Sequence, residues 1–259
     1  MASPTVCEKC SGTGYIVVER DGLSGAERCS CYAQRRAERV LASANIPPKF
    51  ADAILENFIL PEDNPTQRSA LVEAFSPAKR YSWEFPDTKK PGLLFIGNPG
   101  TGKTHLSVGV MKHLISRGFE GLFYDYQQLL TDIQQSWSQQ AGSDQQGVFK
   151  RVREVEVLLL DDLGARRALD WVEDVVTELI TFRYNHRKPL IATTNLSEPA
   201  AEHEVVAGKT KGGVNRAGRT FAEIIGERSR SRLFEMCKIV KMTGIEDYRM
   251  RGTNRGYLR

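Results

Sequence analysis

The sequence predicts an α/β domain built on a five-stranded parallel sheet, with a small cysteine-bearing module ahead of it. Three observations lead there. Five apolar runs, at residues 93–97, 121–126, 155–161, 189–195 and 238–242, are separated by stretches of helical periodicity. That alternation is the pattern of a doubly wound sheet covered by helices on both faces. The first run passes directly into a glycine-rich turn and a helix, and the first thirty-odd residues hold four of the five cysteines in two close pairs.

In chain order, Cys7-Glu-Lys-Cys10 and Cys29-Ser-Cys31 flank a Gly-rich turn and a strand. Four thiolates in two pairs suit tetrahedral Zn²⁺, which takes soft ligands without redox change. The second pair is C-x-C rather than the commoner C-x-x-C, and a disulfide, an iron–sulfur site or free thiols remain alternatives. Such a fragment has little apolar surface, so a metal would supply its stability. The N-terminus is short and polar with no signal-peptide pattern, which points to a reducing, cytoplasmic location.

Residues 32–43 read as a short helix, apolar on one side and carrying Arg35, Arg36 and Arg39 on the other. It is either a docking surface or a bridge. Ile46-Pro-Pro48 ends it and marks a boundary. The expected organisation is a zinc-binding module at 1–32, a linker helix at 33–48 and the main domain at 49–259.

The first strand of the main domain runs into Gly97-Asn98-Pro99-Gly100-Thr101-Gly102-Lys103-Thr104, the P-loop pattern. Glycines let backbone N–H groups turn inward around phosphate oxygens. Lys103 then reaches the β- and γ-phosphates, and the Thr104 hydroxyl ligates Mg²⁺. The following helix aims its positive end at the same anion. His105, in the first helical turn, offers its backbone N–H there and a structural side chain. The ligand class is a nucleoside triphosphate.

The third run ends in Asp161-Asp162. A wholly apolar strand fits a central parallel position. Asp161 is placed to hold Mg²⁺ and Asp162 to polarise the attacking water, which marks a water-activating ATPase. Most such enzymes carry Glu at the second position. Asp is one methylene shorter, so slow turnover is expected. The fourth run ends in Thr-Thr-Asn195, at the edge where parallel sheets bind ligands. Asn195 there orients water or senses the γ-phosphate, or forms only a turn. Cys237 reads as a small core residue.

Composition fits one substantial core plus an appendage: a net charge of +4 and 41% hydrophobic residues. No apolar run is long enough to span a bilayer. The segment 207–220 is Gly-rich, basic and free of acids. Trp137 lies in a polar stretch where no core demands an indole, whereas Trp171, Val175, Leu179 and Phe182 are helically spaced and read as core.

These motifs, together with Asn45-Ile-Pro-Pro-Lys-Phe50, Leu55-Glu-Asn-Phe58 and Gly226-Glu-Arg-Ser-Arg-Ser-Arg-Leu233, resemble AAA+ ATPases. More narrowly, the chain looks like the DnaC/DnaI replicative helicase loaders and the related IstB transposition ATPases, over roughly residues 44–248. The resemblance implies that Arg232 acts in trans as an arginine finger and Arg228 as a second interface or phosphate-sensing arginine. Without it, the same residues read only as a basic run. Seventeen residues follow Met242, too few for a helical lid and its cis arginine, so the resemblance implies a truncated lid, self-association through the arginine-finger face and a poorly active monomer. It also implies a hexameric replicative DNA helicase and single-stranded DNA as partners. Trp137, with Arg166 and Arg167, is the expected DNA contact through base stacking and charge. ATP, Mg²⁺ and Zn²⁺ are the implied cofactors; the alternative is a transposition ATPase acting on duplex DNA.

Overall fold

The computed structural model describes residues 7–20, 23–138, 147–165, 170–196 and 221–250. The N-terminal module is an antiparallel ribbon of β1 (Tyr15–Arg20) and β2 (Leu23–Arg28), followed by α1 (Tyr32–Ser43) and a 3₁₀ turn at Pro48–Phe50. Next come α2 (Pro65–Glu84), β3 (Gly92–Gly97), α3 (Lys103–Ser116), β4 (Gly121–Asp125), α4 (Tyr126–Ser138) and α5 (Gly147–Glu154). The described chain continues with β5 (Val157–Asp161), α6 (Asp170–Asn185), β6 (Leu190–Thr194), α7 (Phe221–Ile225), α8 (Glu227–Met236) and β7 (Cys237–Met242).

The five strands expected from the apolar runs form one sheet, ordered β4-β5-β6-β3-β7 and parallel at every pairing. Its central strands alternate between two cores, as side chains on a pleated strand must. Leu94, Leu158, Leu160 and Ala192 face one side, packed with Leu130, Val176 and Ile180. Leu93, Phe95, Leu159 and Ile191 face the other, packed with Leu106, Met111 and Leu114. Both faces are covered, so every residue of β3, β5 and β6 is buried. Each large aliphatic or aromatic side chain so placed contributes about 1.5–3 kcal/mol.

Local chemistry sets the ends. Asn64 caps α2 by accepting a hydrogen bond from the Gln67 N–H at 3.1 Å, and Pro65 occupies the first turn, where no N–H is needed. Arg183, fully buried on α6, donates to the carbonyls of Val152, Arg153, Val155, Glu156 and Pro189. One guanidinium thereby joins the end of α5 to the starts of β5 and β6. Cys237 is buried at the start of β7, as expected of a small core residue, and Trp171 packs against the core, as its helical spacing suggested.

The 32–43 helix is present as α1, and it does bridge the two parts. Ala37 and Val40 pack against the core beneath α3. The Phe123 N–H of the outer strand β4 donates to the Ala44 carbonyl at 2.7 Å, and Arg151 Nη2 donates to the Ser43 carbonyl at 2.8 Å. Arg36 and Arg39 stay exposed, while Arg35 turns back to donate to the Gly12 carbonyl at 2.7 Å.

Candidate nucleotide and metal sites

Three strand ends build one site. β3 delivers the P-loop, β5 delivers Asp161 and Asp162, and β6, seated between them, delivers Thr193 and Asn195. In the loop, Gly100 and Gly102 take φ of +76° and +95°, a region in which a Cβ is strained. Lys103 folds inward and donates to the carbonyls of Gly97 at 2.9 Å and Asn98 at 2.7 Å. Burial lowers its pKa to about 8, against the opposing pull of Asp162 and Asp161. A polyphosphate offers the ammonium the charged partner it lacks among these carbonyls, so the loop fits a nucleotide.

The Thr104 hydroxyl donates to Asp161 at 3.0 and 3.1 Å, and Thr193 Oγ1 donates to Asp161 Oδ1 at 2.6 Å. Burial raises the Asp161 pKa, the hydroxyl bonds from Thr193 and Thr104 lower it, and neighbouring Asp162 raises it further. A carboxylate beside a hydroxyl is a hard-oxygen pair suited to Mg²⁺. Asp162 holds φ +54°, unusual for a residue with a side chain. Asn195 Nδ2 donates to Asp162 Oδ1 at 2.9 Å.

Two flanking segments had no assigned role in the sequence. A Cβ on Gly102 would lie 2.9 Å from the Phe58 ring. His105 Nε2 sits 3.0 Å from the Ile54 carbonyl and 2.9 Å from Asn57 Oδ1. The Leu55-Glu-Asn-Phe58 stretch therefore braces the first turn of α3, and the His105 side chain is structural. On the other side, the chain after β7 returns to the P-loop, where the Tyr248 N–H donates to the Gly100 carbonyl at 2.9 Å. The described part of this segment brings the charges of Arg249 and Asp247 within electrostatic reach of Lys103.

The remaining candidates lie elsewhere. Arg228 and Arg232 sit on α8, packed beside α6, and among the described residues neither bonds to the P-loop of its own chain. Trp137 falls in the last turn of α4, where only the backbone is described. Arg166 and Arg167, and the basic segment 207–220, are outside the described residues.

The sulfurs of Cys7, Cys10, Cys29 and Cys31 all lie within 4.8 Å of one another. Cys7–Cys29 is 3.8 Å and Cys10–Cys31 is 3.5 Å. A tetrahedron with bonds of about 2.3 Å requires sulfurs about 3.8 Å apart, so the cluster fits zinc. The turn is built for it: the Gly14 N–H donates to Cys10 Sγ at 3.3 Å, and the Cys29 N–H donates to the Gly14 carbonyl at 2.8 Å.

The sequence profile of the IstB-like ATP binding proteins matches residues 27–208. The chain belongs to that family. Membership makes this an AAA+ ATP-binding chain of the DnaC/IstB group, in agreement with the strand order and the P-loop. XkdC, a protein of the phage-like element PBSX of Bacillus subtilis, is 27% identical over 205 residues, 76% of this chain and 74% of XkdC. The replicative helicase loader DnaC of Escherichia coli K12 is 21% identical over 165 residues, 63% of this chain and 64% of that protein. The chain thus spans just under two thirds of that loader. The crystal structure of a DnaC helicase loader matches with a TM-score of 0.59 at 28% identity, covering 75% of this chain and 99% of that one. The DnaI crystal structure matches at 0.55 and 21% identity, over 80% and 97% of the two chains, and bears on the fold alone. No helix among the described residues is long and apolar enough to cross a membrane.

Proposed function

We propose that this protein is an ATP-dependent loader that binds a hexameric replicative DNA helicase and places it on single-stranded DNA. The observation that carries the reading is the 28% identity to a DnaC helicase loader over nearly all of that chain, with the P-loop chemistry in place. In this reading Lys103 leaves the Gly97 and Asn98 carbonyls to meet the β- and γ-phosphates, and the loop amides from Gly97 to His105 cradle them. Thr104 and Asp161 hold Mg²⁺, which when bound screens phosphate charge. Asp162, held by Asn195, takes the proton of the attacking water. Arg232 of a neighbouring subunit completes the site, with Arg228 beside it. Their place on α8, unbonded to their own P-loop, supports a role in trans. ATP favours the assembled, DNA-gripping state and hydrolysis releases it.

Trp137, Arg166 and Arg167 are the proposed DNA contacts, and the protein works in the cytoplasm. The residues up to 32 form the zinc module, those at 33–48 the connecting helix, and the remainder the ATPase domain. The zinc module carries a partner-binding role.

Light-scattering mass, measured with and without a hexameric replicative helicase from the same source in ATP and then ADP, tests the loader reading. A stoichiometric complex supports it. No complex, with ATP-dependent filaments on duplex DNA instead, moves the assignment to a transposition ATPase.

A further inference from the structure

Among the groups around the nucleotide site, one fully buried hydroxyl has no role so far. Thr193 lies on β6, with its side chain between Asp161, the last residue of β5, and Asp162, which follows it. Its Oγ1 donates to Asp161 Oδ1 at 2.6 Å and accepts from the Asp162 N–H at 2.9 Å. The Leu163 N–H closes the same corner by donating to the Thr193 carbonyl at 2.8 Å. A hydroxyl has one proton. With that proton committed to Asp161 and a lone pair committed to the Asp162 amide, its rotor is fixed and both neighbours are referenced to one atom.

We infer that Thr193 is a positioning residue that sets the Asp161 carboxylate for Mg²⁺ and the Asp162 backbone for water activation through a single hydroxyl. The inference rests on the nucleotide-site reading given above. Two features make Thr193, rather than Thr104, the lasting anchor. The Thr104 hydroxyl also bonds to Asp161, but it is itself a proposed Mg²⁺ ligand, so its position follows the cation and the P-loop. Thr193 is fixed within β6, which is paired to β5 on one side and β3 on the other, and its hydroxyl is not a proposed Mg²⁺ ligand, so it keeps its bond. Asp162 meanwhile sits at φ +54°, a conformation that costs about 1–2 kcal/mol for a residue with a Cβ. Its amide bond to Thr193 and its carboxylate bond to Asn195 are what hold it there.

Groups of this kind behind a metal ligand change metal affinity by about 10–100-fold when removed. The test compares Thr193→Val, which keeps the shape and removes the hydroxyl, with Thr193→Ser, which keeps the hydroxyl. The readout is the affinity for a fluorescent ATP analogue in EDTA and across a Mg²⁺ titration, with melting temperature alongside. Thr193→Val should bind as wild type does in EDTA and need about tenfold more Mg²⁺ for half of the affinity gain. Thr193→Ser should stay within about twofold of wild type. A normal Mg²⁺ response in Thr193→Val overturns the inference and leaves the nucleotide-site reading intact. Equal loss in both variants also overturns it, because packing of the methyl group would then be responsible. A wild-type protein with no Mg²⁺-dependent nucleotide binding overturns both.

Discussion

Asp247 lies directly against Gly100: a Cβ built on Gly100 would fall 1.8 Å from Asp247 Oδ1. The middle glycine of the P-loop is therefore required twice, by its φ of +76° and by the chain that packs on it. Gly100→Ala should destabilise the fold and weaken nucleotide binding by more than about tenfold. About 1–2 kcal/mol of the loss comes from the backbone conformation alone. In an Asp247→Ala background the steric part should vanish while the backbone part remains. A double-mutant cycle read by denaturant melts separates them; strict additivity would show that the two residues do not meet.

Lys103 gives the site a pH dependence of defined sign. Without nucleotide its pKa is lowered by burial to about 8. Phosphate favours the ammonium form, so nucleotide binding above that pH must take up a proton. Affinity should be level below about pH 7 and fall as pH rises through about 8. Titration calorimetry in two buffers of different ionisation enthalpy detects the proton, and no buffer dependence near pH 8.5 would contradict the assignment.

The cysteine cluster predicts a metal requirement confined to the N-terminus. Purified protein should carry a single zinc, and a strong chelator should unfold the β1–β2 ribbon, because the thiolate cage stands in for a core. Cys29→Ser should abolish zinc retention with nucleotide affinity unchanged. Elemental analysis and protease sensitivity of the N-terminus check both.

Arg183 should be among the most costly side chains to remove. Replacing it with Leu leaves five wholly or partly buried carbonyls without their shared donor, and the expected loss is about 3–5 kcal/mol. Chemical denaturation measures this. A loss below about 1 kcal/mol would mean that water replaces the guanidinium.

The features read correctly from sequence were those written locally. Apolar runs such as 157–160 are continuous because both faces of a central parallel strand are buried, and Gly97 to Thr104 is a contiguous motif. The cysteine pairs were legible because C-x-x-C and C-x-C are short spacings of one rare residue. What could not be read depends on pairs far apart in the chain and on common residue types. Nothing near Thr193 announces that its hydroxyl joins two residues more than thirty positions earlier, and nothing near Asp247 announces a P-loop glycine. The length of the stretch after Met242 does not show that residues 247–249 return to the P-loop. Nothing in the sequence singles out Arg183, because its partners are backbone carbonyls, which no sequence pattern displays.

The Ala44–Phe123 bond has a mechanical consequence. The ribbon is joined to α1 through the Arg35–Gly12 bond and the edge-on contact of Tyr15 with Tyr32, at 5.6 Å between ring centres. The far end of α1 is bonded to the outermost strand of the sheet. A load placed on the ribbon thus arrives at the backbone of β4, at the opposite margin of the sheet from β7, instead of being lost in a slack tether. A force on the ribbon would therefore be felt at the edge of the nucleotide-binding sheet.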